Sequence, residues 1–333
     1  MAPDLGVTVV SQAPEARFRS AIPGQLEYRR LQCDVGLVQR DALVIDLPAT
    51  VEACRAFAAT WSERVEREAR WLRESGAALV LGDVPPLAFA AAQAAGVQSV
   101  ALANFSWDWI YGHLAGREPR LAAAADQAKA AYASSSLLLR LPFAGDLRAF
   151  PRVEDLPIVA RRPRLEAEEA RRRLDLGVRP VVLLSFGGIG FRSPASGSLG
   201  QLSDFDFLVE APDGGAPRNV HAVDDARLGA LGLGYEDLVA AADVVVTKPG
   251  YGIVTDAIAG RTRIVYTDRG DFPEYAVLVA ELPRYVPAVH VSNDDLRTGR
   301  LGEAIRSVLG QPFPDPPRLD GAEVAARRLL EVL

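Results

Sequence analysis

The chain has 333 residues, a length that favours two domains over one. Hydrophobic residues make up 49% of it and charged residues 24%, a balance that excludes wholesale disorder, collagen-like repeats and a coiled coil. The formal net charge of −6 argues against nucleic acid or an anionic membrane as the main partner.

The chain carries no sign of a disulfide framework or a leader. Two cysteines, Cys33 and Cys54, are too few for such a framework or for a metal cage, and we interpret them as reduced thiols. Residues 1–6 show neither a basic nor an apolar leader segment. The most apolar stretch, residues 77–105, is interrupted by Asp83, two prolines and a glutamine. We therefore expect a soluble, cytoplasmic protein without an integral membrane segment.

Short apolar runs alternate with alanine-rich helical stretches in the first half. Strands are predicted at residues 7–11, 79–81, 99–103 and 137–141, and helices at residues 50–75 and 87–95. The apolar runs are continuous rather than alternating, as is typical of parallel strands buried on both faces. This rhythm predicts a doubly wound α/β domain over residues 1–150.

A linker and a second α/β domain are predicted next. Residues 151–180 contain scattered prolines and a charged helix at 165–176, whose i,i+4 charges indicate a solvated face. The same rhythm then returns over residues 181–333. Strands are predicted at 181–186, 207–210, 220–222, 244–247 and 264–267, and helices at 235–241, 253–259, 274–280, 294–309 and 322–330. Two such domains favour a ligand site in the cleft between them.

The most informative segment begins at the strand 244–247. This strand runs into Lys248-Pro249-Gly250-Tyr251-Gly252, and a helix is predicted to begin at once. A helix N-terminus offers unpaired N–H groups and a positive dipole end, which together bind phosphate, and the glycines let a ligand approach the backbone. Asp256, one turn into the helix, can accept hydrogen bonds from sugar hydroxyls. A glycine-rich connection with an acid that satisfies the helix dipole is an equally open alternative.

A second glycine cluster follows the predicted strand 181–186. Gly187, Gly188 and Gly190 do not complete a G-x-G-x-x-G pattern, so a nicotinamide dinucleotide fingerprint is unsupported. Two glycine loops at strand ends of one domain nevertheless favour a nucleotide or sugar-phosphate ligand.

The loop after the predicted strand 264–267 carries opposite charges. Arg269 can pair with phosphate, and Asp271 and Glu274 can bind sugar hydroxyls. The alternative is a turn followed by a helix with acids in its first turn.

Two loops of the first half carry candidate acceptor-side residues. Asp83 follows the strand 79–81, and residues 104–111, Asn-Phe-Ser-Trp-Asp-Trp-Ile-Tyr, follow the strand 99–103. Aromatic residues interleaved with polar ones are typical of stacking platforms for sugars. A capped helix whose tryptophans pack on the domain is the alternative.

Several common chemistries are unsupported by the sequence. His113, His221 and His290 show no H-E-x-x-H or paired spacing, so a zinc site is not expected. The chain contains no G-x-S-x-G elbow and no G-x-x-x-x-G-K-[ST] phosphate loop. Residues 204–206 spell D-x-D, a pattern too common to be assigned a role.

The segment 243–256, Asp-Val-Val-Val-Thr-Lys-Pro-Gly-Tyr-Gly-Ile-Val-Thr-Asp, with residues 269–275, resembles the donor half of GT-B glycosyltransferases. It resembles in particular the glycosyltransferase-like N-terminal half of plant L-arabinokinase and its free-standing bacterial relatives. Residues 30–42, 82–86 and 104–111 carry the same likeness, so it spans nearly the whole chain. No counterpart of the GHMP-type kinase half is found, so the resemblance does not imply kinase activity.

This resemblance implies a GT-B-like fold, with two Rossmann-like domains facing a cleft, and a UDP-type sugar donor bound by the second domain. The glycine loops match those that hold the diphosphate, and Asp256 matches the acid that binds ribose, although glutamate is the usual residue there. Asn104 and Trp107 face the acceptor, and neither cofactor nor metal is implied. The implied donor-binding residues are Gly187, Gly188, Lys248, Gly250, Tyr251, Gly252, Asp256, Arg269, Asp271 and Glu274.

The start of the chain departs from the family. Relatives begin with a strand and a G-H-G-x-G-H loop that often supplies the general base, whereas this chain opens at the apparent second strand. A misassigned start is the favoured explanation, and a damaged first domain is the other. Asp83 and Asp108 are the base candidates by position, followed by His113. A non-catalytic nucleotide-sugar binding module and a sugar-nucleotide epimerase remain alternatives to a transferase.

Overall fold

Three parallel β-sheets organise the protein. The computed structural model describes residues 5–22, 24–40, 44–186, 196–210 and 217–333. Within these ranges the sheets contain two, four and six strands, and neighbouring strands run parallel throughout.

The first half contains the two smaller sheets. β1 and β2 form a separate pair, and β3, β4, β5 and β6 lie side by side in chain order. The strands are β1 (Val7–Ser11), β2 (Leu26–Arg30), β3 (Leu79–Gly82), β4 (Gln98–Ala103), β5 (Leu137–Arg140) and β6 (Val153–Asp155). The helices are α1 (Glu15–Ala21), α2 (Leu47–Ala58), α3 (Trp61–Glu74), α4 (Pro86–Ala95), α5 (Trp107–Ala115) and α6 (Ala122–Tyr132).

The second half contains the six-stranded sheet. Its strands are β7 (Val181–Ser185), β8 (Asp206–Val209), β9 (Val220–Ala222), β10 (Val244–Thr247), β11 (Arg263–Tyr266) and β12 (Ala288–His290). The helices are α7 (Ala167–Arg173), α8 (Ser196–Gly200), α9 (Asp225–Ala230), α10 (Tyr235–Ala241), α11 (Tyr251–Gly260), α12 (Pro273–Glu281), α13 (Asn293–Thr298), α14 (Gly302–Leu309) and α15 (Gly321–Val332).

The strand order of this sheet, β12-β11-β10-β7-β8-β9, reverses direction between β7 and β10. In doubly wound sheets, ligands bind beyond the carboxyl ends of the strands at this switch point. β10 is central and fully buried, with Val245 facing one core cluster and Val244 and Val246 facing the other. Burial on both faces explains why its sequence is continuously apolar.

The predicted α/β class with parallel sheets is confirmed, while several element boundaries were wrong. The helix predicted over 50–75 is two helices, because the chain leaves the helical conformation at Thr60. The helix predicted over 294–309 is also two helices, because Gly299 ends α13 with a φ of +76°. β2 is not among the predicted strands, since Glu27, Arg29 and Arg30 mask its apolar signal.

The last helix returns to the first half of the molecule. Ala325 of α15 packs in the core cluster that lines β4 and β5, and the N–H of Gly321 donates to the carbonyl of Ile158 at 3.1 Å. Arg328 pairs with Glu154 of β6 at 2.7 Å.

The predicted domain boundaries at residues 150 and 180 remain predictions. No helix within the described ranges is long and apolar enough to cross a membrane.

Candidate active site

The connection from β10 to α11 contains two glycines that no described atom crowds. Gly250 precedes α11 with an extended backbone, a conformation that any residue can adopt, and no described side chain caps the helix. A Cβ added at Gly250 would approach only Nη1 of Arg269, at 3.9 Å, and one at Gly252 would meet no described atom within 4 Å. Among the described residues, neither crowding nor backbone conformation therefore requires glycine here, and the close approach of a ligand would give a reason for it.

Arg269 supplies a positive charge beside this helix end. Its Nη1 donates to the carbonyl of Pro249 at 3.1 Å, and its guanidinium lies over the ring of Phe272 at 4.5 Å. Its Nε is buried without an acceptor among the described residues. Burial lowers the pKa of Arg269, and the negative charge of Glu274 partly opposes that shift. A partly satisfied guanidinium next to a helix N-terminus is suited to an anion.

Three further predicted donor-binding residues, Lys248, Tyr251 and Glu274, differ in burial and in contacts. Lys248 is half-buried at the end of β10. Tyr251 packs its ring edge-on against Phe143 of the first half, with ring centres 6.3 Å apart, and burial raises its pKa to about 12. Glu274 is half-buried, and burial raises its pKa while Arg269 lowers it. That these three residues contact a nucleotide-sugar donor remains a prediction.

Asp256 lies beneath an arginine from the segment between the two halves. Its carboxylate forms a two-point ion pair with the guanidinium of Arg161. That guanidinium also lies 5.4 Å from the ring centre of Tyr235, whose hydroxyl forms a hydrogen bond with Ser185 at the end of β7. Burial raises the pKa of Asp256, and Arg161 opposes the shift. A ribose bound by Asp256 would share the carboxylate with Arg161, and this role stays a prediction.

Asp271 connects the two halves. Its Oδ1 lies 2.9 Å from Nε2 of His113, and its Oδ2 lies 2.6 Å from Nη1 of Arg117. Both partners lie in or just after the last turn of α5, which brings the first half up to the loop after β11. Hydrogen bonds from His113 and Arg117 lower the pKa of Asp271.

The candidate acceptor side is a pocket at the start of the same helix. Trp107 donates its indole N–H to Oδ2 of Asp34 at 2.8 Å and stacks on Tyr111 at 5.4 Å. Asp34, Trp107, Tyr111 and Trp61 line this pocket, which is only large enough for about one water molecule. Asn104 is buried, and its backbone carbonyl accepts from the N–H of Gly145 at 2.9 Å, while its side-chain Nδ2 lies 3.5 Å from the carbonyl oxygen of Phe143.

The two carboxylates predicted as general base lie in different surroundings. Asp83 follows β3 and is exposed as a whole, while the atoms packed around its carboxyl group, and then the charge of Asp34, raise its pKa. Asp108 lies in the first turn of α5, and its Oδ1 is buried without a donor among the described residues. Burial raises the pKa of Asp108 as well. Neither makes a hydrogen bond or ion pair to the described part of the second half.

The structure does not test the predicted glycine loop or metal independence, and it adds residues that were not predicted. Gly187 and Gly188 lie outside the described residues. No three His, Cys, Asp or Glu side chains in the described ranges are grouped to hold a metal ion, and metal independence stays a prediction. Asp34, Arg117, Arg161 and Tyr235 are not among the residues predicted for the site. Asp34 lies within residues 30–42, which carry the family likeness, and Arg161 belongs to an arginine pair in a segment with several prolines.

Comparisons with known proteins agree with this architecture. No protein-family model matches the chain. L-arabinokinase of Arabidopsis thaliana is 32% identical over 337 aligned positions, which cover 98% of this chain and 31% of that protein. The chain thus spans about a third of the length of that relative.

Solved structures of glycosyltransferases share the fold. UGT89C1 of Arabidopsis thaliana superposes with a TM-score of 0.60 at 14% identity, covering 98% of this chain and 86% of that one. The calicheamicin glycosyltransferase CalG4 does so with a TM-score of 0.57 at 16% identity, covering 91% and 82%. Structures of UGT89C1 include complexes with UDP and with UDP-L-rhamnose. The chain therefore has the GT-B fold, and it is similar over nearly all of its length to about a third of L-arabinokinase.

Proposed function

We propose that the protein is a glycosyltransferase that transfers a sugar from a UDP-type nucleotide-sugar to a hydroxyl acceptor. One observation carries the proposal: Arg269 lies beside the N-terminus of α11, which no described side chain caps, and no described atom would crowd a Cβ at Gly250 or Gly252. A helix N-terminus and a guanidinium together neutralise a diphosphate. The complexes of UGT89C1 with UDP and UDP-L-rhamnose support a donor of this class.

The remaining groups fit the steps of such a transfer. As the bond between the sugar C1 and the diphosphate oxygen breaks, charge collects on the leaving diphosphate, where Arg269 and the first N–H groups of α11 stabilise it. Asp271 and Glu274 hold the sugar hydroxyls. The acceptor approaches from the side of the first half that carries Trp107, and its hydroxyl proton passes to a base of the first half. This arrangement needs no metal ion.

The test compares two arginines that share a local environment. Arg263 also lies over an aromatic ring, Phe313, at 4.5 Å, and its Nε is also buried without an acceptor among the described residues. It stands at the amino end of β11, however, whereas Arg269 follows the carboxyl end. We expect Arg269→Met to weaken UDP binding by about 10- to 100-fold, the value of one or two charge-assisted hydrogen bonds, and Arg263→Met to leave it unchanged.

Calorimetric titration with UDP measures this difference, and both variants are first checked for a cooperative melt. Equal UDP affinity in Arg269→Met and the wild type would contradict the donor site. Release of UDP from a UDP-sugar that depends on an added acceptor separates a transferase from a binding module. A changed sugar product without an acceptor would instead indicate an epimerase.

A further inference from the structure

The ion pair between Arg161 and Asp256 engages an acid close to the proposed diphosphate site. Asp256 stands four residues after Gly252, about 6 Å along α11, so a ribose joined to a diphosphate at the helix N-terminus would lie within its reach. The guanidinium of Arg161 donates to both carboxylate oxygens, from Nε at 3.2 Å and from Nη2. The Asp256 side chain is 2% exposed, whereas that of Arg161 is 57% exposed.

The group open to a ligand at this position is therefore a hydrogen-bond donor and not a carboxylate. A carboxylate has about four acceptor sites, but those of Asp256 that Arg161 leaves unused are enclosed with the rest of the side chain. A ribose hydroxyl can still accept from the outer N–H groups of Arg161. Water satisfies those exposed groups equally well, so removing such a hydroxyl costs little affinity.

The fold holds the Arg161 guanidinium over Asp256. The guanidinium also lies 5.4 Å from the ring centre of Tyr235. Three residues further along the chain, the backbone N–H of Arg164 donates to the buried carboxylate of Asp237 at 2.6 Å, which fixes this segment on α10. Arg161 is thus presented to Asp256 by a segment that is itself anchored to the second half.

We propose that Arg161 is a specificity-determining residue that withholds Asp256 from the ribose, contrary to the role that the family resemblance implies for this acid. The donor site then accepts a 2′-deoxyribonucleoside diphosphate as well as a ribonucleoside diphosphate, and its substrate class includes sugars carried on either. The inference rests on the proposed nucleotide-sugar donor site.

The decisive measurement uses the wild-type protein and three ligands. UDP, 2′-deoxy-UDP and 3′-deoxy-UDP differ only in their ribose hydroxyls, and calorimetric titration gives the Kd of each. We expect the three values to agree within about threefold, because no exposed carboxylate accepts from either hydroxyl. An enclosed carboxylate that accepted from one of them would weaken the matching deoxy ligand by about 10- to 100-fold. A tenfold preference for UDP over either analogue would therefore overturn the proposal.

A variant of Arg161 tests whether this residue is the cause. Arg161→Ala uncovers the Asp256 carboxylate and should create a preference of about tenfold for UDP over at least one deoxy analogue. The double variant Arg161→Ala/Asp256→Ala should lose that preference again. If Arg161→Ala does not melt cooperatively, Arg161→Lys keeps a positive charge beside the buried carboxylate, but its ammonium group cannot form the two-point pair.

Arg162→Ala is the matched control. Arg162 is the next residue and is 58% exposed, but it donates to the carbonyl of Leu319 at 3.0 Å and lies 3.9 Å from the exposed carboxylate of Glu323. Its loss should leave the three affinities as close to one another as they are in the wild type.

The outcomes separate this inference from the proposed function. Similar affinities in the wild type, with a UDP preference that appears in Arg161→Ala and disappears in the double variant, would support the inference. Similar affinities in both the wild type and Arg161→Ala would overturn the role of Arg161. A protein that binds none of the three diphosphates would overturn the donor site and this inference with it. Binding of all three without any sugar transfer would overturn the transferase alone.

Discussion

The carboxylate of Asp256 in α11 is almost completely enclosed, whereas its partner Arg161 remains largely open to water. The side chain of Asp256 is 2% exposed and that of Arg161 is 57% exposed. If the pair is broken, water can solvate the guanidinium but not the carboxylate. The two residues therefore differ in what their loss costs, because a buried charge without a partner is destabilising.

We predict that Arg161→Gln destabilises the protein more than Asp256→Asn does. The first change should lower the free energy of unfolding near neutral pH by about 2–3 kcal/mol, and the second by about 1 kcal/mol or less. Burial without the guanidinium raises the pKa of Asp256 above its unfolded value, so the penalty in Arg161→Gln grows as the pH rises past about 4. Urea unfolding of both variants at acid and neutral pH measures this. A penalty equal in both variants, or independent of pH, would contradict the prediction.

Gly252→Ala should weaken donor binding without harming the fold. The added methyl group meets no described atom, but it occupies the space over the start of α11. We expect an unchanged or slightly raised melting temperature and a UDP affinity reduced about tenfold.

Gly260→Ala, at the other end of α11, is the matched control. A Cβ there would lie 3.0 Å from Cα of Ala240, so this variant should lose about 1–2 kcal/mol of stability and keep its UDP affinity. Wild-type UDP affinity in Gly252→Ala would show that the space above the loop is not part of the site.

Asp237 attaches the segment between the two halves to helix α10 of the second half. It is fully buried, and it accepts from the backbone N–H groups of Gly234, Arg164 and Leu165 at 2.8, 2.6 and 3.0 Å. These bonds lower the pKa of Asp237 against the opposing effect of burial. We predict that Asp237→Ala costs about 3–5 kcal/mol, because three buried donors lose their acceptor.

The neighbouring Glu236 provides the control for that measurement. It pairs with the exposed Arg164 at 3.1 Å, and Glu236→Gln should cost less than about 1 kcal/mol. Equilibrium unfolding of the two variants tests the difference. A loss below about 1 kcal/mol in Asp237→Ala would be incompatible with the role of its three hydrogen bonds.

Gly145→Ala should destabilise the first half. A Cβ at this position would lie 2.1 Å from the indole of Trp109, which must then move out of a packed position. We expect a loss of about 1–3 kcal/mol. Gly112→Ala in α5 meets no described atom within 4 Å and should instead add about 0.5–1 kcal/mol through helix propensity. Melting temperatures that move in the same direction in both variants would refute this interpretation.

Chelation should leave the reaction intact. In the proposed transfer, Arg269 and the N-terminus of α11 do the work that a divalent cation does in other enzymes. Turnover of a UDP-sugar should therefore be the same with and without EDTA. Loss of activity in EDTA that magnesium restores would require a metal site and would revise the role of Arg269.

The parts of the site that the sequence identified are those encoded by a few consecutive residues. The β10–α11 loop joins a buried apolar run to two glycines, and Arg269 and Asp271 follow the next strand. Strand ends of a parallel sheet lie on one edge, so local pattern alone indicated which residues would gather there.

The parts that it did not identify depend on pairs far apart in the chain. Arg161 and Asp256 are separated by 95 positions, and Arg117 and Asp271 by 154. Exposed arginines are common in this chain, and nothing in a single sequence distinguishes one that pairs across the fold. Asp34 was missed for the same reason, since its partner Trp107 lies 73 positions away.

The return of α15 to the first half has a consequence for synthesis. Val100 and Leu137 of the four-stranded sheet share a core cluster with Ala325, so residues made early are covered by residues made after the whole six-stranded sheet. While the chain is still emerging from the ribosome, α15 does not yet cover the apolar face of the four-stranded sheet that contains Val100 and Leu137. We therefore expect the first half to mature only after α15 has been released, with chaperones sheltering the exposed face until then.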